Sequence, residues 1–166
     1  MAKTVGQRIK SWGITLLLAV VVFSALSAWK SKDMLLGPAP VLAGYDLQGQ
    51  LMAFESNADE PTLIYFWATW CPICGFTISS IASIAEDYPV ITVATTSGNE
   101  EEIATYLEQK NIRLPVMMDD SGDLGRHWGV TGVPAIFIVD SKGQITHRSL
   151  GYASELGLRA RLALAD

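Results

Sequence analysis

Two cysteines, three residues apart, sit where an apolar run gives way to a helix-opening proline. That junction constrains the chain more than any other feature. Thr62–Trp67 reads Thr-Leu-Ile-Tyr-Phe-Trp, a continuous apolar and aromatic run of the kind that forms a strand buried on both faces. Ala68, Thr69 and Trp70 follow, then Cys71-Pro72-Ile73-Cys74. Proline is at home in the first helical turn, where the N–H it lacks has no intrahelical partner. Cys71 and Cys74 are the only cysteines in 166 residues, too few for a disulfide scaffold or a four-cysteine zinc site.

The placement gives the two sulfurs different roles. A sulfur at a helix N-terminus faces unpaired backbone N–H groups and the positive end of the helix dipole, both of which favour thiolate. Cys71 is therefore the expected nucleophile. Cys74, one turn on, is expected to be more buried and to act as the resolving thiol. A spacing of three brings both sulfurs to one helix face at bonding distance, so the pair can open and close on a fixed backbone. Cys71 attacks a partner disulfide and Cys74 then releases the reduced partner; run backwards, the same steps oxidise a partner.

Charge divides the chain. Its net charge of −5 combines a basic start, with five Lys/Arg against one Asp in residues 1–33, and a remainder with seven basic against 16 acidic side chains, a net of −9. An acidic domain without a Lys/Arg cluster argues against a nucleic-acid partner. Between Lys10 and Lys30 lie 19 uncharged residues, enough as a helix to span about 28 Å, near the hydrocarbon thickness of a bilayer. Trp12 and Trp29 mark its ends, and three positive residues precede it, which orients the N-terminus towards the cytoplasm. Residues 1–33 are expected to be a cytoplasmic tip and single transmembrane anchor in the inner membrane, holding the rest on the periplasmic side. A cleaved signal, with Ala25-Leu26-Ser27 at the cleavage site, and a buried core helix are the competing readings.

After a linker at 34–40, residues 41–166 read as one α/β domain. Val41–Asp46 and Leu51–Phe54 suggest a hairpin around Gln48-Gly49. Val90–Thr95, Pro115–Met118 and Ala135–Asp140 read as strands, and Ser141-Lys142-Gly143 turns the chain into a last strand at Gln144–Leu150. Helices are expected from Pro72 to before Pro89, with Ile73, Phe76, Ile81, Ile84 and Ala85 on the buried stripe, from Glu100 to about Lys110, briefly at Leu124–Trp128, and over Ser154–Leu164. Such alternation implies a mixed central sheet flanked by helices.

Trp67-Ala68-Thr69-Trp70-Cys71-Pro72-Ile73-Cys74 resembles the active site of the thioredoxin superfamily, and Gly132-Val133-Pro134 resembles its cis-proline loop. The segment Glu100–Met118 is similar to the helix–strand insertion of the membrane-anchored TlpA, ResA and cytochrome c biogenesis group, and the short anchor resembles the suppressor-of-copper-sensitivity D branch. The resemblance implies a thioredoxin-like fold and a membrane-tethered protein-disulfide oxidoreductase working without a cofactor. It also implies a cis Val133–Pro134 bond, with Pro134 against the sulfurs and the Val133 backbone free to pair with an extended partner. Its partners would be thiol or disulfide proteins outside the cytoplasm, and a membrane thiol-electron transporter would supply reductant to a monomer. The Pro72-Ile73 dipeptide lacks the His of strongly oxidising relatives, which leans the direction towards reductase. Two positions depart from the pattern: Tyr65 stands where thioredoxins carry an Asp, and Thr77 where the cytochrome-maturation reductases carry a Glu. Proton handling at Cys74 is thereby left open.

A different class of function is a non-catalytic Cu(I) carrier, because thiolates and thioethers favour Cu(I) and Met117-Met118 lies in the domain. His127 and His147, 20 residues apart in different elements, do not make a metal site with the cysteines. Asp119, Asp120 and Asp123 lack the closing glutamate of a calcium loop and read as a turn.

Overall fold

The architecture is seen in a computed structural model that describes residues 14, 15, 18, 22, 31, 32, 34–54 and 60–165. The chain divides into two compact units, residues 1–32 and 33–166. In the first, Ile14, Thr15, Leu18 and Val22 are helical, and the three apolar ones are exposed. Most of the expected anchor lies outside the described residues, among which no helix is long and apolar enough to cross a membrane.

The second unit is built on a six-stranded mixed sheet. Its strands are β1 (Gly37–Pro38), β4 (Thr62–Trp67), β5 (Val90–Thr95), β6 (Val116–Asp119), β7 (Ala135–Val139) and β8 (Gln144–Leu150), in the order β1-β8-β7-β4-β5-β6. β4, β5 and β6 run parallel, whereas β7 and β8 are antiparallel to their neighbours. A separate hairpin pairs β2 (Leu42–Tyr45) with β3 (Leu51–Phe54). The helices are α1 (Pro72–Ile84), α2 (Glu100–Gln109), α3 (Asp123–His127) and α4 (Glu155–Ala163).

The two hairpin turns use one chemical device. Asp46 Oδ1 accepts the N–H groups of Gln48 and Gln50, and Asp140 Oδ1 those of Lys142 and Gln144. Gly49 and Gly143, each three residues after its Asp, take the positive φ that closes the turn.

β4 lies inside the sheet, between β7 and β5. All six of its residues are buried, and alternation sends them to two different cores. Leu63, Tyr65 and Trp67 face a cluster with Ile78, Ile81 and Ile84 of α1, Ile103 and Leu107 of α2, and Leu158 and Leu162 of α4. Ile64 and Phe66 face the other cluster, with Leu42, Met117, Trp128 and Phe137. In that second core the rings of Phe66, Trp128 and Phe137 meet at 5.1–5.9 Å, spacings typical of tilted and edge-to-face packing.

Three differences from the sequence reading have physical causes. The buried stripe of α1 is Cys74, Thr77, Ile78, Ile81 and Ile84; Ile73 and Phe76, expected inside, are exposed. α1 has apolar residues all around its first two turns, so period alone could not choose the face; the site of Cys74 does. Within the expected linker, Gly37–Pro38 pairs with Gln144–Ile145, and Met34 is buried in the second core, so that stretch is partly folded onto the sheet edge. In α4 only Leu158 and Leu162 of the loose leucine stripe are buried, while Leu156 and Leu164 face out.

Candidate active site

The parallel strand β4 ends at Trp67 and the chain must turn to start α1, which puts residues 68–71 beyond the C-terminal end of an interior strand. Cys71 is the N-cap of α1 in extended conformation, with Pro72 in the first turn. Its sulfur accepts the Cys74 N–H at 3.2 Å, occupying one of the donors that a helix start leaves unpaired. Cys71 and Cys74 are joined as a disulfide with a Cα–Cα separation of 5.3 Å, well within the range such bonds need. The sulfurs are unequal: Cys74 is fully buried, whereas Cys71, in the same cluster, is 5% exposed.

The Val133–Pro134 bond is cis, and the Val133 carbonyl oxygen lies 3.6 Å from Cys71 Sγ. In the oxidised form that sulfur has no hydrogen to donate, so the contact is simple proximity. It brings together two segments 62 residues apart in sequence, as the motif pair suggests. Gly151 N–H donates to the Pro134 carbonyl at 2.8 Å, which fixes the loop from behind.

Around the sulfurs the surface is apolar. Trp70, Ile73 and Phe76 are 63%, 48% and 75% exposed. Trp67, by contrast, is wholly buried and its ring lies 5.4 Å from that of Tyr106. Trp70 does not hang free: its indole N–H donates to the Thr96 carbonyl at 2.9 Å. Next to it, Thr69 makes two bonds to Ser97, its N–H to Oγ at 3.3 Å and its hydroxyl to the carbonyl at 2.9 Å. Ser97 Oγ in turn donates to Thr95 O. Thr96 adopts φ +45°, a left-handed conformation that costs a β-branched residue energy. Sequence reasoning missed this brace, because a Thr-Thr-Ser run after a strand reads only as a loop.

Beneath Cys74 lie hydroxyls. Tyr65 is fully buried and its Oη donates to the Cys74 carbonyl at 3.2 Å. Burial first, and the neighbouring Tyr106 phenol second, push the Tyr65 hydroxyl far above the usual phenol range, with the Thr77 hydroxyl acting weakly the other way. Thr77 is buried as well and donates to Ile73 O at 3.1 Å. The one buried carboxylate among the described residues, Asp119, is committed elsewhere: it accepts from Leu124 N–H, Gly125 N–H and Thr95 Oγ1. Those bonds start α3 and were hidden in what reads as a polar turn.

Other sequence candidates stay dispersed. Met117 is fully buried in the second core, while His127 is exposed. Among the described residues no group of three or more His, Cys, Asp or Glu is placed to hold a metal.

Comparison with known proteins agrees with this geometry. The Redoxin family matches residues 30–161. A thioredoxin-like protein of Haemophilus influenzae is 32% identical over 156 residues, covering 93% of both chains. The thiol:disulfide interchange protein DsbE of Pseudomonas aeruginosa is 29% identical, covering 91% of this chain and 87% of its own. Among solved structures, a thioredoxin-family thiol:disulfide interchange protein from Chlorobium tepidum superposes with a TM-score of 0.68 at 24% identity, over 80% of this chain and 98% of that one; this similarity bears on the fold. With a thioredoxin-like fold, a Cys-x-x-Cys disulfide at the start of a helix and relatives that are thiol–disulfide oxidoreductases, the chain belongs to the Redoxin family.

Proposed function

We propose that the protein exchanges disulfides with other proteins outside the cytoplasm, tethered to the inner membrane by its N-terminal segment and acting as a reductant. The observation that carries the exchange chemistry is the asymmetry of one bond. Cys71 Sγ lies at the helix start, beside the Val133 carbonyl and 5% exposed, while Cys74 is fully buried. In the reduced protein the outer sulfur attacks a partner disulfide, forming Cys71–S–S–partner and releasing the partner's other sulfur. Cys74 then attacks Cys71 Sγ, and the electron pair of the broken bond leaves with the partner.

The exposed Trp70, Ile73 and Phe76 suit a polypeptide substrate better than a small polar one, since they offer apolar surface to a docked segment. Val133, next to the cis proline, presents its backbone for pairing with an extended partner strand. The reductant direction is supported by the absence of a histidine between the cysteines, and export by the flanking charges of the apolar run. A reductase outside the cytoplasm needs a source of electrons, which we assign to a membrane thiol transporter.

Replacing Cys74 with Ser removes the resolving sulfur and should trap partners on Cys71 as mixed disulfides that dithiothreitol releases. No trapped species in cells, with Cys71 intact and reduced, would sink the exchange reading. For direction, the Cys71–Cys74 potential should fall towards the reducing end of the range from roughly −270 mV to −120 mV spanned by thioredoxin-fold proteins. A value above about −150 mV would instead mark an oxidant.

A further inference from the structure

The resolving step needs Cys74 to lose a proton, yet the one buried carboxylate among the described residues, Asp119, is engaged elsewhere. Cys74 belongs to a core cluster made mostly of apolar side chains, with one cation, Lys110, beside Tyr106 and Gly75. β4 contributes Tyr65 and α1 contributes Thr77, while Ala94 of β5, Ile136 and Ile138 of β7 and Leu158 of α4 belong to the same apolar cluster. α2 adds the Tyr106 phenol, with Lys110 Nζ 5.2 Å from its ring centre. The charged cluster of Arg159, Glu155 and Asp87 joins α4 to Ser83 at the far end of α1. Asp119 is bound to the start of α3.

We propose that Tyr65 is the positioning residue of the resolving sulfur: its phenol holds the Cys74 carbonyl, and with it the first turn of α1, while the Cys74 proton leaves to water and not to an internal carboxylate. The step balances without an internal base. The Cys74 thiol first gives its proton to water, the Cys74 thiolate attacks Cys71 Sγ, the bond between Cys71 and the partner sulfur breaks, and the partner sulfur departs as a thiolate with the electron pair. A buried phenol that resists deprotonation is suited to this task. It can donate to a carbonyl at any working pH, but it cannot act as a proton acceptor. Because the bond is made to the backbone of Cys74 and not to its sulfur, its loss affects the aim of the sulfur and leaves the thiol chemistry in place.

The inference rests on the exchange proposed above, and one stopped-flow experiment separates the two. Reduced full-length protein in detergent is mixed with 5,5′-dithiobis(2-nitrobenzoate). Cys71 attack releases one thionitrobenzoate and leaves the other on Cys71; Cys74 then releases the second. In Tyr65→Phe, which keeps the ring and removes the hydroxyl, the ratio of the second rate to the first should fall about fivefold, the worth of one hydrogen bond. In the wild type the second rate should rise with pH in a single limb, with no inflection between about pH 4 and 6, where carboxylates titrate. A ratio unchanged in Tyr65→Phe, or a carboxylate-range inflection in the second phase alone, would overturn the role of Tyr65 while leaving the exchange intact. Absence of the first phase would overturn the exchange itself, and this role with it.

Discussion

Ser97→Ala tests whether the loop after β5 holds the active-site turn in place. Ser97 is 4% exposed and its hydroxyl serves twice, accepting from the Thr69 N–H at 3.3 Å and donating to Thr95 O at 3.0 Å. The substitution removes the hydroxyl together with its own need for a partner, so the cost falls on the groups left behind. The Thr69 N–H and the Thr95 carbonyl each lose a hydrogen bond. Thr69 is half-buried, so water recovers part of its loss, and the total comes to about 1–2 kcal/mol. For a unit of this size that is a fall of about 3–8 °C in Tm. Thr69→Val removes the second bond, from its hydroxyl to the Ser97 carbonyl at 2.9 Å, and should cost about 1 kcal/mol. Both bonds secure the same contact, so the double variant should be non-additive by about 0.5 kcal/mol or more. Urea denaturation of the four oxidised proteins, with exposed Ser79→Ala as a control expected within about 0.5 kcal/mol, measures each value. Ser97→Ala within about 0.3 kcal/mol of wild type, or strict additivity with Thr69→Val, would show that the loop merely lies beside the turn.

Ile81→Ala and Ile73→Ala should separate the two faces of α1: about 2–5 kcal/mol lost for the buried residue, and within about 0.5 kcal/mol for the exposed one, read by the same urea curves. Arg159 bonds Glu155 and Asp87, and its guanidinium together with Ser83 holds the Glu155 carboxyl below its usual range. A depressed carboxyl pKa adds stability above its unfolded value, near pH 4.5, and loses it as pH falls through the folded one. The Tm gap between wild type and Arg159→Ala should therefore narrow on going from pH 7 to below about pH 4, and a gap that widens would contradict the pairing. For Tyr65 the sign is opposite, since a raised phenol pKa favours the fold below its unfolded value of 10.0 and that advantage declines above it. Tyrosinate absorbance of the folded protein should accordingly account for fewer than all five tyrosines until alkaline unfolding releases the rest.

Much of the sheet was legible because its strands carry strong local signals. Thr62–Trp67 and Val90–Thr95 are observed with the limits expected, and the turns at Gln48-Gly49 and Ser141-Lys142-Gly143 mark both hairpins. β1 was invisible for the converse reason. Two residues, Gly37 and Pro38, carry no periodicity, and their pairing with β8 is decided by a strand more than 100 residues later. Asp119 is a similar case: as one of several acids in a polar stretch it resembles turn chemistry, and only the fold reveals that its carboxylate receives two helix-start N–H groups.

At the site the two sulfurs and the Val-Pro pair were legible as types, while their supports were not. Tyr65 has the sequence character of any core aromatic in a buried strand; what singles it out is the alternation of β4, which aims it at α1 instead of the opposite core. The error over Ile73 and Phe76 is more instructive. Hydrophobic periodicity assumes that a helix hides its apolar residues from water, and through Ile78, Ile81 and Ile84 it does. The assumption fails in the two turns that carry the sulfurs, where isoleucine and phenylalanine remain outside. Stability of the isolated domain gives no reason to keep large apolar side chains there, since exposed positions contribute little to folding. The proposed exchange, in which the surface repeatedly admits another protein's cysteine, does give one. The place where the folding rule breaks down therefore coincides with the place where the proposed chemistry needs contact.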